Sequence, residues 1–167
     1  AAWKLAPGLA AGNCCILKPS ELTPLSVSLL FELIDDVGFP PGVVQLVYGP
    51  GDPMGSCLAA SPIVDKIAFT GGGVTGRKIM TAAASNFKKV TLELGGKSAN
   101  IVFADADLES VAGAAAMAAS YNSGQDCTAP CRVVAGPKVF DAVVSGLMVT
   151  VLMQLRARQL RVQDSKL

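Results

Sequence analysis

Two short segments carry residue types that can do covalent chemistry. The segment Leu92-Glu93-Leu94-Gly95-Gly96-Lys97-Ser98 holds a carboxylate between two leucines, and Gly124-Gln125-Asp126-Cys127 ends in a thiol. A thiolate is a nucleophile toward carbonyl carbon, and a carboxylate can act as a general base. The chain contains no histidine, which excludes a Ser-His or Cys-His relay within it. The base for such a reaction is therefore a carboxylate, a lysine or a backbone-positioned water.

Further segments, taken in order along the chain, resemble the NAD(P)-dependent aldehyde dehydrogenase superfamily. They are Trp3-Lys4-Leu5-Ala6-Pro7, Leu17-Lys18-Pro19-Ser20-Glu21, Gly38-Phe39-Pro40-Pro41-Gly42 and Phe69-Thr70-Gly71-Gly72. The resemblance covers roughly residues 1–146 of the chain. The Gly-Gln-Asp-Cys segment is similar to the branch that oxidises amino-aldehydes such as aminobutyraldehyde and betaine aldehyde. A family subunit is several domains long, so the resemblance implies that this chain is a fragment.

The resemblance assigns Cys127 as the nucleophile and Glu93 as the general base. Cys127 would capture an aldehyde as a thiohemiacetal, hydride would pass to a nicotinamide cofactor, and water activated by Glu93 would hydrolyse the thioester. We expect the flanking Leu92 and Leu94 to desolvate the Glu93 carboxylate in part. By spacing alone, Glu93 also fits an exposed residue at a strand end, and Cys127 fits a small buried apolar residue.

The resemblance also implies a site for the adenosine ribose of the cofactor. Lys18 would donate to the ribose hydroxyls and Glu21 would accept from them. A carboxylate at this place favours NAD, whereas Lys18 and Ser20 leave NADP possible. The same two charged residues also fit a solvated corner between a strand and a helix.

Two glycine-containing turns complete the expected cofactor site. Thr70, Gly71 and Gly72 would let the pyrophosphate approach a helix N-terminus, where free N–H groups and the helix dipole attract anions. Leu94 and Gly95 are assigned beside the nicotinamide, and Gly95 with the glycine after it would bend the chain toward that ring.

A literal G-x-G-x-x-G pattern offers a competing interpretation. Gly71, Gly73 and Gly76 follow a predicted strand and open a predicted helix, with Glu93 twenty residues beyond Gly73. In the usual dinucleotide fingerprint an acidic residue at that distance binds the ribose. We reject that role because the Leu-Glu-Leu-Gly-Gly-Lys segment assigns Glu93 as the general base.

Hydrophobic periodicity predicts an α/β fold in which strands and helices alternate. The predicted strands are Cys14–Leu17, Val43–Val47, Lys66–Phe69, Val90–Leu92, Asn100–Phe103 and Arg132–Val134. Predicted helices follow Thr23-Pro24 up to Gly38, and lie near Met54–Ala60, Gly73–Ala84, Leu108–Ala119 and Val139–Leu155. Thr23 is expected to cap the first of these, with Pro24 at its first position. This alternation indicates a Rossmann-like parallel sheet covered by helices.

The resemblance divides the chain into three parts. Residues 1–93 would belong to the NAD-binding domain, and residues 94–155 would begin the catalytic domain that carries the cysteine. Residues 156–167 form a tail of uncertain origin. The fold would thus be an incomplete aldehyde dehydrogenase fold.

Composition and charge exclude several partner classes. Hydrophobic residues make up 51%, charged residues 16%, and the formal net charge is +1, so no nucleic-acid partner is expected. The longest apolar stretch, residues 142–155, is too short to cross a bilayer and contains Ser145, Thr150 and Gln154. We therefore expect no membrane partner and a cytoplasmic location. The resemblance implies a small-molecule aldehyde substrate and a homo-oligomeric full-length parent.

The cysteines indicate neither a disulfide framework nor a metal site. Their number is five, and Cys14 and Cys15 are adjacent, so reduced thiols are expected. Cys57 and these two are interpreted as small buried apolar residues, as is Cys131. Only Cys127 and Cys131 have ligand-like spacing, and there is no histidine, so no metal is expected.

Segments that the family needs for turnover are expected outside this chain. The family's oxyanion-hole asparagine corresponds to a position before Ala1, and the segment that holds the nicotinamide ribose lies downstream. Loss of one oxyanion donor costs roughly a hundredfold to a thousandfold in rate. We expect negligible activity from the chain alone.

Two other classes of function stay open at this point. A catalytically dead relative would bind NAD or a partner protein without turnover. A thiol acyltransferase without nicotinamide would need Cys127 but not Lys18, Glu21 or Gly72. Titration with NAD separates the second class from the others.

Overall fold

The computed structural model describes the backbone of residues 1–164 and the side chains of residues 1–153. Residues 165–167 lie outside the described residues, as do the side chains of the rest of the predicted 156–167 tail. The chain divides into two compact units, Ala1–Glu93 and Leu94–Leu167. Each unit is an alternation of helices and strands.

The first unit carries four α-helices and four strands, and the last residue of the fourth strand, Leu94, already belongs to the second unit. They are α1 (Ala2–Ala10), β1 (Cys15–Leu17), α2 (Leu25–Val37), β2 (Val44–Leu46), α3 (Ser56–Ala60), β3 (Lys66–Gly71), α4 (Gly73–Ala83) and β4 (Lys89–Leu94). β1 pairs with β2 in parallel, with Cys15 opposite Val44 and Leu17 opposite Leu46. β3 pairs with β4. Each of these α-helices is thus followed along the chain by a strand, and each of the first three strands is followed by a turn that leads toward the next helix.

The helix α2 ends as predicted but begins differently. Gly38 closes it with a left-handed backbone, φ 80°, which glycine adopts without steric cost. The predicted cap at Thr23 is wrong, because the capping position is Pro24 and no side chain caps the helix. The carbonyl of Pro24 already accepts from the N–H groups of Val27 and Ser28. Thr23 instead donates its N–H to Ser20 in the preceding turn.

The second unit contains β5 (Ala99–Val102), α5 (Leu108–Ser120), β6 (Arg132–Ala135) and α6 (Phe140–Asp164). β5 and β6 pair in parallel. The core is small and apolar, built on Val102, Val139 and Val143. Alanines on α5 allow close helix packing: a Cβ built on Gly146 of α6 would lie 3.1 Å from the Cβ of Ala112.

The predicted α/β alternation with parallel pairing is confirmed, and the ends of the strands differ from prediction by at most two residues. The described strands form three pairs, β1 with β2, β3 with β4 and β5 with β6, instead of one continuous ladder. A strand of three residues, such as β1 or β2, has few backbone groups with which to extend a ladder. None of the described helices combines the length and the hydropathy that a membrane crossing requires.

Candidate active site and cofactor site

Cys127 lies in the loop that joins α5 to β6, and its thiol is exposed. Next to it, Asp126 Oδ1 accepts hydrogen bonds from the backbone N of Thr128 at 2.9 Å and from its Oγ1 at 2.8 Å. Further along, the N–H of Ala129, which is buried, donates to the carbonyl of Asp126. The thiol is therefore presented by a hydrogen-bonded turn whose far side is anchored in the second unit.

Asp126 remains an anion to lower pH than an ordinary aspartate. The backbone N–H of Thr128, followed by its hydroxyl, stabilises the carboxylate and holds the pKa of Asp126 below the usual value of 3.8. Its Oδ1 thus bonds to the backbone and hydroxyl of Thr128 within the same turn. A fixed negative charge stands directly before the thiol in the chain.

Three consecutive residues before the Cys127 loop have left-handed backbones. The φ angles are 48° at Asn122, 59° at Ser123 and 75° at Gly124. Glycine and asparagine tolerate this region, whereas serine adopts it at a cost. Asn122 Nδ2 donates to the carbonyl of Gln125 at 2.9 Å, and the N–H of Gln125 donates to the carbonyl of Asn122 at 3.1 Å. These reciprocal bonds hold the left-handed turn closed.

Gly96 lies against the backbone of Cys127. A Cβ built on Gly96 would be 2.8 Å from the carbonyl oxygen of Cys127, whereas one built on Gly95 would have no described neighbour within 4 Å. Ser98, two residues after Gly96, accepts at its carbonyl from the N–H of Arg132, and the pairing of β5 with β6 begins there. The two segments thus run side by side, and only a residue without a side chain fits at position 96.

Glu93 occupies the outward side of β4. Its side chain is exposed, while the neighbouring Leu92 and Leu94 are partly buried. The expectation that these leucines desolvate the carboxylate is wrong for the described residues, because successive side chains of a strand point to opposite faces. Glu93 belongs to the first unit and Cys127 to the second.

The structure brings Lys18 and Glu21 together at the turn after β1. Lys18 Nζ lies 3.7 Å from Glu21 Oε2, with 17% of the lysine side chain and 52% of the glutamate side chain exposed. The ammonium also donates to the carbonyls of Pro19 and Gly49, both at 2.8 Å. Because Gly49 follows β2, Lys18 ties together the ends of two paired strands. The carboxylate of Glu21 is left facing solvent beside this fixed cation.

The glycine turn between β3 and α4 is open to solvent. Gly72 is the residue before α4, with an extended backbone and no side-chain cap on the helix. A Cβ built on Gly72 would meet no described atom within 4 Å, whereas one on Gly71 would lie 2.5 Å from the ring of Phe69. Thr70, the penultimate residue of β3, accepts a hydrogen bond at Oγ1 from Lys4 Nζ at 2.6 Å. The space where a Gly72 side chain would stand, at the start of α4, is therefore free of described atoms.

Three contributions to these sites were not predicted from sequence. Lys4 holds the Thr70 hydroxyl, the Gly49 carbonyl holds Lys18, and Gly96 touches the Cys127 loop. Lys4 lies in a segment already quoted for the family resemblance, so its position carried a signal. The other two are contacts between residues that lie far apart in the sequence. Local sequence patterns carry no signal for such contacts.

The remaining thiols differ from their interpretation as buried apolar residues. All five cysteines are free, and Cys14, Cys57 and Cys131 are exposed, while Cys15 is partly buried. Burial of Cys15 raises the pKa of its thiol, with a smaller contribution from Cys14 beside it. Among the described residues no three His, Cys, Asp or Glu side chains are grouped as metal ligands.

Comparison with known proteins shows which family this chain resembles in sequence. The model of the aldehyde dehydrogenase family matches residues 1–165. The chain is 49% identical over 148 residues to the betaine aldehyde dehydrogenase of Bacillus subtilis, which covers 89% of this chain and 30% of that protein. It is 47% identical over 144 residues to retinal dehydrogenase 2 of Taeniopygia guttata, covering 86% and 28%.

A solved structure agrees in fold as well as in sequence. The NAD+ complex of an aldehyde dehydrogenase from Bacillus cereus superimposes with a TM-score of 0.82 at 46% identity, covering 87% of this chain and 30% of that one. The chain thus spans about 30% of the length of the curated relatives that it matches.

Proposed function

This chain belongs to the aldehyde dehydrogenase family, and on that premise we propose that the protein containing it oxidises an aldehyde to a carboxylic acid with NAD as hydride acceptor. Cys127 attacks the aldehyde carbon to form a thiohemiacetal, and Glu93 activates the water that later hydrolyses the thioester. NAD, when bound, accepts the hydride. The observation that carries the proposal is the exposed thiol of Cys127 on a hydrogen-bonded turn within a family-matching chain.

The described residues fit a dinucleotide with a free 2′-hydroxyl. Lys18 is a fixed donor and Glu21 an adjacent acceptor, 3.7 Å apart, as a ribose diol requires. Directly after Glu21, Leu22–Ser26 form an open, largely apolar surface, against which a flat base can pack. The empty space around Gly72 supports the assignment of Thr70, Gly71 and Gly72 to the pyrophosphate, since a ligand can lie where a side chain would otherwise stand. We assign Leu94 and Gly95 to the nicotinamide end.

Glu93 favours the acid-forming branch of the chemistry over acyl transfer to another acceptor. Its exposed carboxylate is accessible to water, which is the group that it must deprotonate. A thiol acyltransferase would use Cys127 but not Lys18, Glu21 or Gly72, and a catalytically dead relative would bind NAD or a partner without turnover. Neither alternative forms NADH in a reaction that depends on both Cys127 and Glu93.

The catalytic roles are tested in the full-length protein that contains this chain. We expect Cys127→Ala to abolish NADH formation, and Glu93→Gln to release one equivalent of NADH and then stall at the thioester. Cys131→Ala and Glu109→Gln are matched controls, because each removes an exposed side chain of the same type in the second unit. Turnover by the Cys127→Ala variant would overturn the proposal, and steady turnover by Glu93→Gln would remove the base.

The pyrophosphate role is tested with Gly72→Val in this chain. A Cβ at position 72 would meet no described atom within 4 Å, so we expect folding to be unaffected and the added side chain to collide with a bound ligand. We expect NAD affinity measured by calorimetry to fall at least about tenfold, which is about 1.4 kcal/mol. Gly136→Val is the control, since a Cβ there is equally free of described neighbours. Equal affinity of the two variants would remove Gly72 from the site.

For the substrate class we propose a cationic amino-aldehyde. Asp126 supports this, because Thr128 keeps its carboxylate ionised immediately before the nucleophile and a negative charge attracts an ammonium group. Sequence identity alone does not select a substrate. The chain is 49% identical to the betaine aldehyde dehydrogenase and 47% identical to retinal dehydrogenase 2, which is nearly the same.

Asp126→Asn tests the charge while keeping an oxygen that can accept from Thr128. In the full-length protein we expect kcat/KM for an amino-aldehyde to fall and kcat/KM for an uncharged aldehyde of equal length to change little. Equal changes for both substrates would mean that Asp126 only shapes the loop.

We further propose that the chain alone does not turn over aldehydes. The homo-oligomeric state of the whole protein stays a prediction from the resemblance, and its cytoplasmic location stays a prediction from the sequence.

A further inference from the structure

We propose that Gly96 and Asn122 are positioning residues for Cys127, holding the nucleophile loop from its two sides. Gly96 limits the loop where the Cys127 carbonyl approaches it, and Asn122 closes the left-handed turn that leads into the loop. This inference rests on the proposed function, because it concerns the nucleophile assigned there. Gly96 directly follows Gly95, which is assigned to the nicotinamide end, so the KM for NAD must be measured to separate positioning of the loop from cofactor binding.

The contact at Gly96 sets how far the loop can move toward the neighbouring strand. A Cβ at that position would be 2.8 Å from a backbone oxygen, a distance that real Cβ atoms essentially never show. A backbone carbonyl cannot rotate away as a side chain can, so any residue other than glycine must displace the Cys127 backbone. Arg132 restricts the room for that displacement, because its Nε and N donate to the carbonyls of Lys97 and Ser98.

The turn at Asn122 fixes the other side of the loop. A non-glycine residue with positive φ is uncommon, and asparagine is among those that tolerate it. Asn122 adds a side-chain bond to the Gln125 carbonyl at 2.9 Å, two residues before Cys127. The backbone preference and the side-chain bond are separable by substitution. Asn122→Gly keeps the first and loses the second, whereas Asn122→Ala loses both.

The first experiment measures the loop without relying on aldehyde chemistry. The chain is treated with limiting iodoacetamide, and the alkylation rates of Cys127 and Cys57 are compared by peptide mass analysis. Cys57 is an exposed thiol of the other unit and serves as an internal reference. We expect Gly96→Ala to change the ratio of the two rates by about threefold or more, because the environment of a thiol governs its reactivity. Gly136→Ala, whose Cβ meets no described atom, should leave the ratio unchanged.

The second experiment uses the full-length protein and separates positioning from general stability. We expect Gly96→Ala and Asn122→Ala to slow the first release of NADH by about tenfold to a hundredfold, the effect of a displacement of about 1 Å. The KM for NAD should stay the same, and Asn122→Gly should restore most of the rate. An unchanged rate ratio in the chain together with an unchanged burst would overturn the inference, as would equal losses in burst rate and NAD binding.

The two proposals fail differently. An altered ratio of alkylation rates in a protein that never releases NADH would keep the positioning role and reject the dehydrogenase function. If the first release of NADH is as fast in the Gly96→Ala and Asn122→Ala variants as in the unmodified protein, the dehydrogenase function is kept and the positioning role is rejected.

Discussion

Lys4 and Thr70 are joined by a hydrogen bond of 2.6 Å from the lysine Nζ to the threonine Oγ1. The bond links α1 to the penultimate residue of the strand β3, just before the glycine turn proposed to hold the cofactor pyrophosphate. Thr70 therefore has a fixed hydroxyl, and its position depends on a residue far away in sequence.

This bond predicts a measurable coupling between the two residues. We expect Lys4→Met and Thr70→Val each to lower the free energy of unfolding by about 0.5–1 kcal/mol or less, since the hydroxyl is exposed. The double variant should lose less than the sum, because either substitution alone breaks the bond. Urea unfolding of the four proteins measures this. Lys78→Met, an exposed lysine of α4, should be additive with Thr70→Val, and additivity of Lys4→Met would deny the coupling.

Glu21 is expected to govern the choice between NAD and NADP. Its carboxylate stands 3.7 Å from Lys18 Nζ, where it would repel a 2′-phosphate. We expect Glu21→Gln to improve binding of NADP relative to NAD by about tenfold, since an unfavourable charge contact is replaced by a neutral amide. Calorimetric titration of this chain with both cofactors gives the ratio. Glu32→Gln on α2 is the control, and an unchanged ratio in Glu21→Gln would remove the discriminating role.

Of the charged residues whose side chains the structure describes, Lys88 is the one that is buried, with 7% of its surface exposed. Its Nζ donates to the carbonyl of Ala59 at 2.8 Å and to that of Ser61 at 2.6 Å, where α3 ends and a positive charge is favourable. Lys88→Met would leave both carbonyls without this donor. We expect the free energy of unfolding to fall by about 1–3 kcal/mol. Lys89→Met, an exposed neighbour, should have little effect, and equal effects would show that the buried ammonium contributes nothing specific.

The stability of the second unit should depend on Asp107 at acid pH. Asp107 caps α5, and the Ser110 hydroxyl, followed by the N–H groups of Ser110 and Glu109, holds the pKa of its carboxyl below 3.8. Since the folded pKa is lower than the unfolded one, its contribution is present above the unfolded value and is lost as pH falls through the folded value.

Thermal unfolding between neutral pH and pH 2 tests this dependence. Asp107→Asn can still cap the helix but cannot titrate, so its melting temperature should fall less steeply with acid than that of the unmodified chain. Asp105→Asn, an exposed neighbour, should not flatten the curve. Identical slopes for all three proteins would show that the cap does not titrate in this range.

The fold could be predicted from sequence because its signals are local. Alternation of β-rich runs with helical spacing placed the strands of both units, and Gly38 closed α2 as its conformational freedom requires. The start of α2 was wrong because Thr23 and Pro24 each fit a helix start, and the choice was made by a bond from Thr23 to Ser20. Competing local solutions of this kind have nearly equal energies.

Motifs in the sequence selected the candidate residues of the site, whereas the environment of these residues could not be predicted from the motifs. Glu93 and Cys127 were chosen from motifs, yet the expected desolvation of Glu93 depended on which face of β4 it would occupy. The contact of Gly96 with the Cys127 carbonyl joins segments that no periodic pattern relates. Such contacts arise only when β5 and β6 pair.

Cys14 and Cys15 provide a comparison of two adjacent thiols in one chain. Cys14 is exposed, whereas Cys15 is partly buried in β1, and a Cβ built on Gly8 of α1 would lie 2.9 Å from its Sγ. Burial, and secondarily the neighbouring Cys14, raises the pKa of Cys15. A smaller fraction of Cys15 is therefore thiolate than would be the case for a thiol with the ordinary pKa, and the thiolate is the reactive form. We expect iodoacetamide to modify Cys14 several times faster than Cys15.

Tandem mass spectrometry of the peptide that contains both residues assigns the modified position. In urea the two rates should converge, because unfolding removes the burial that distinguishes them. Cys14→Ser should speed modification of Cys15 only slightly, since burial is the larger of the two causes. Equal rates in the folded chain would mean that α1 does not cover β1 in solution. That result would also weaken the Lys4–Thr70 link, because Lys4 lies on the same helix.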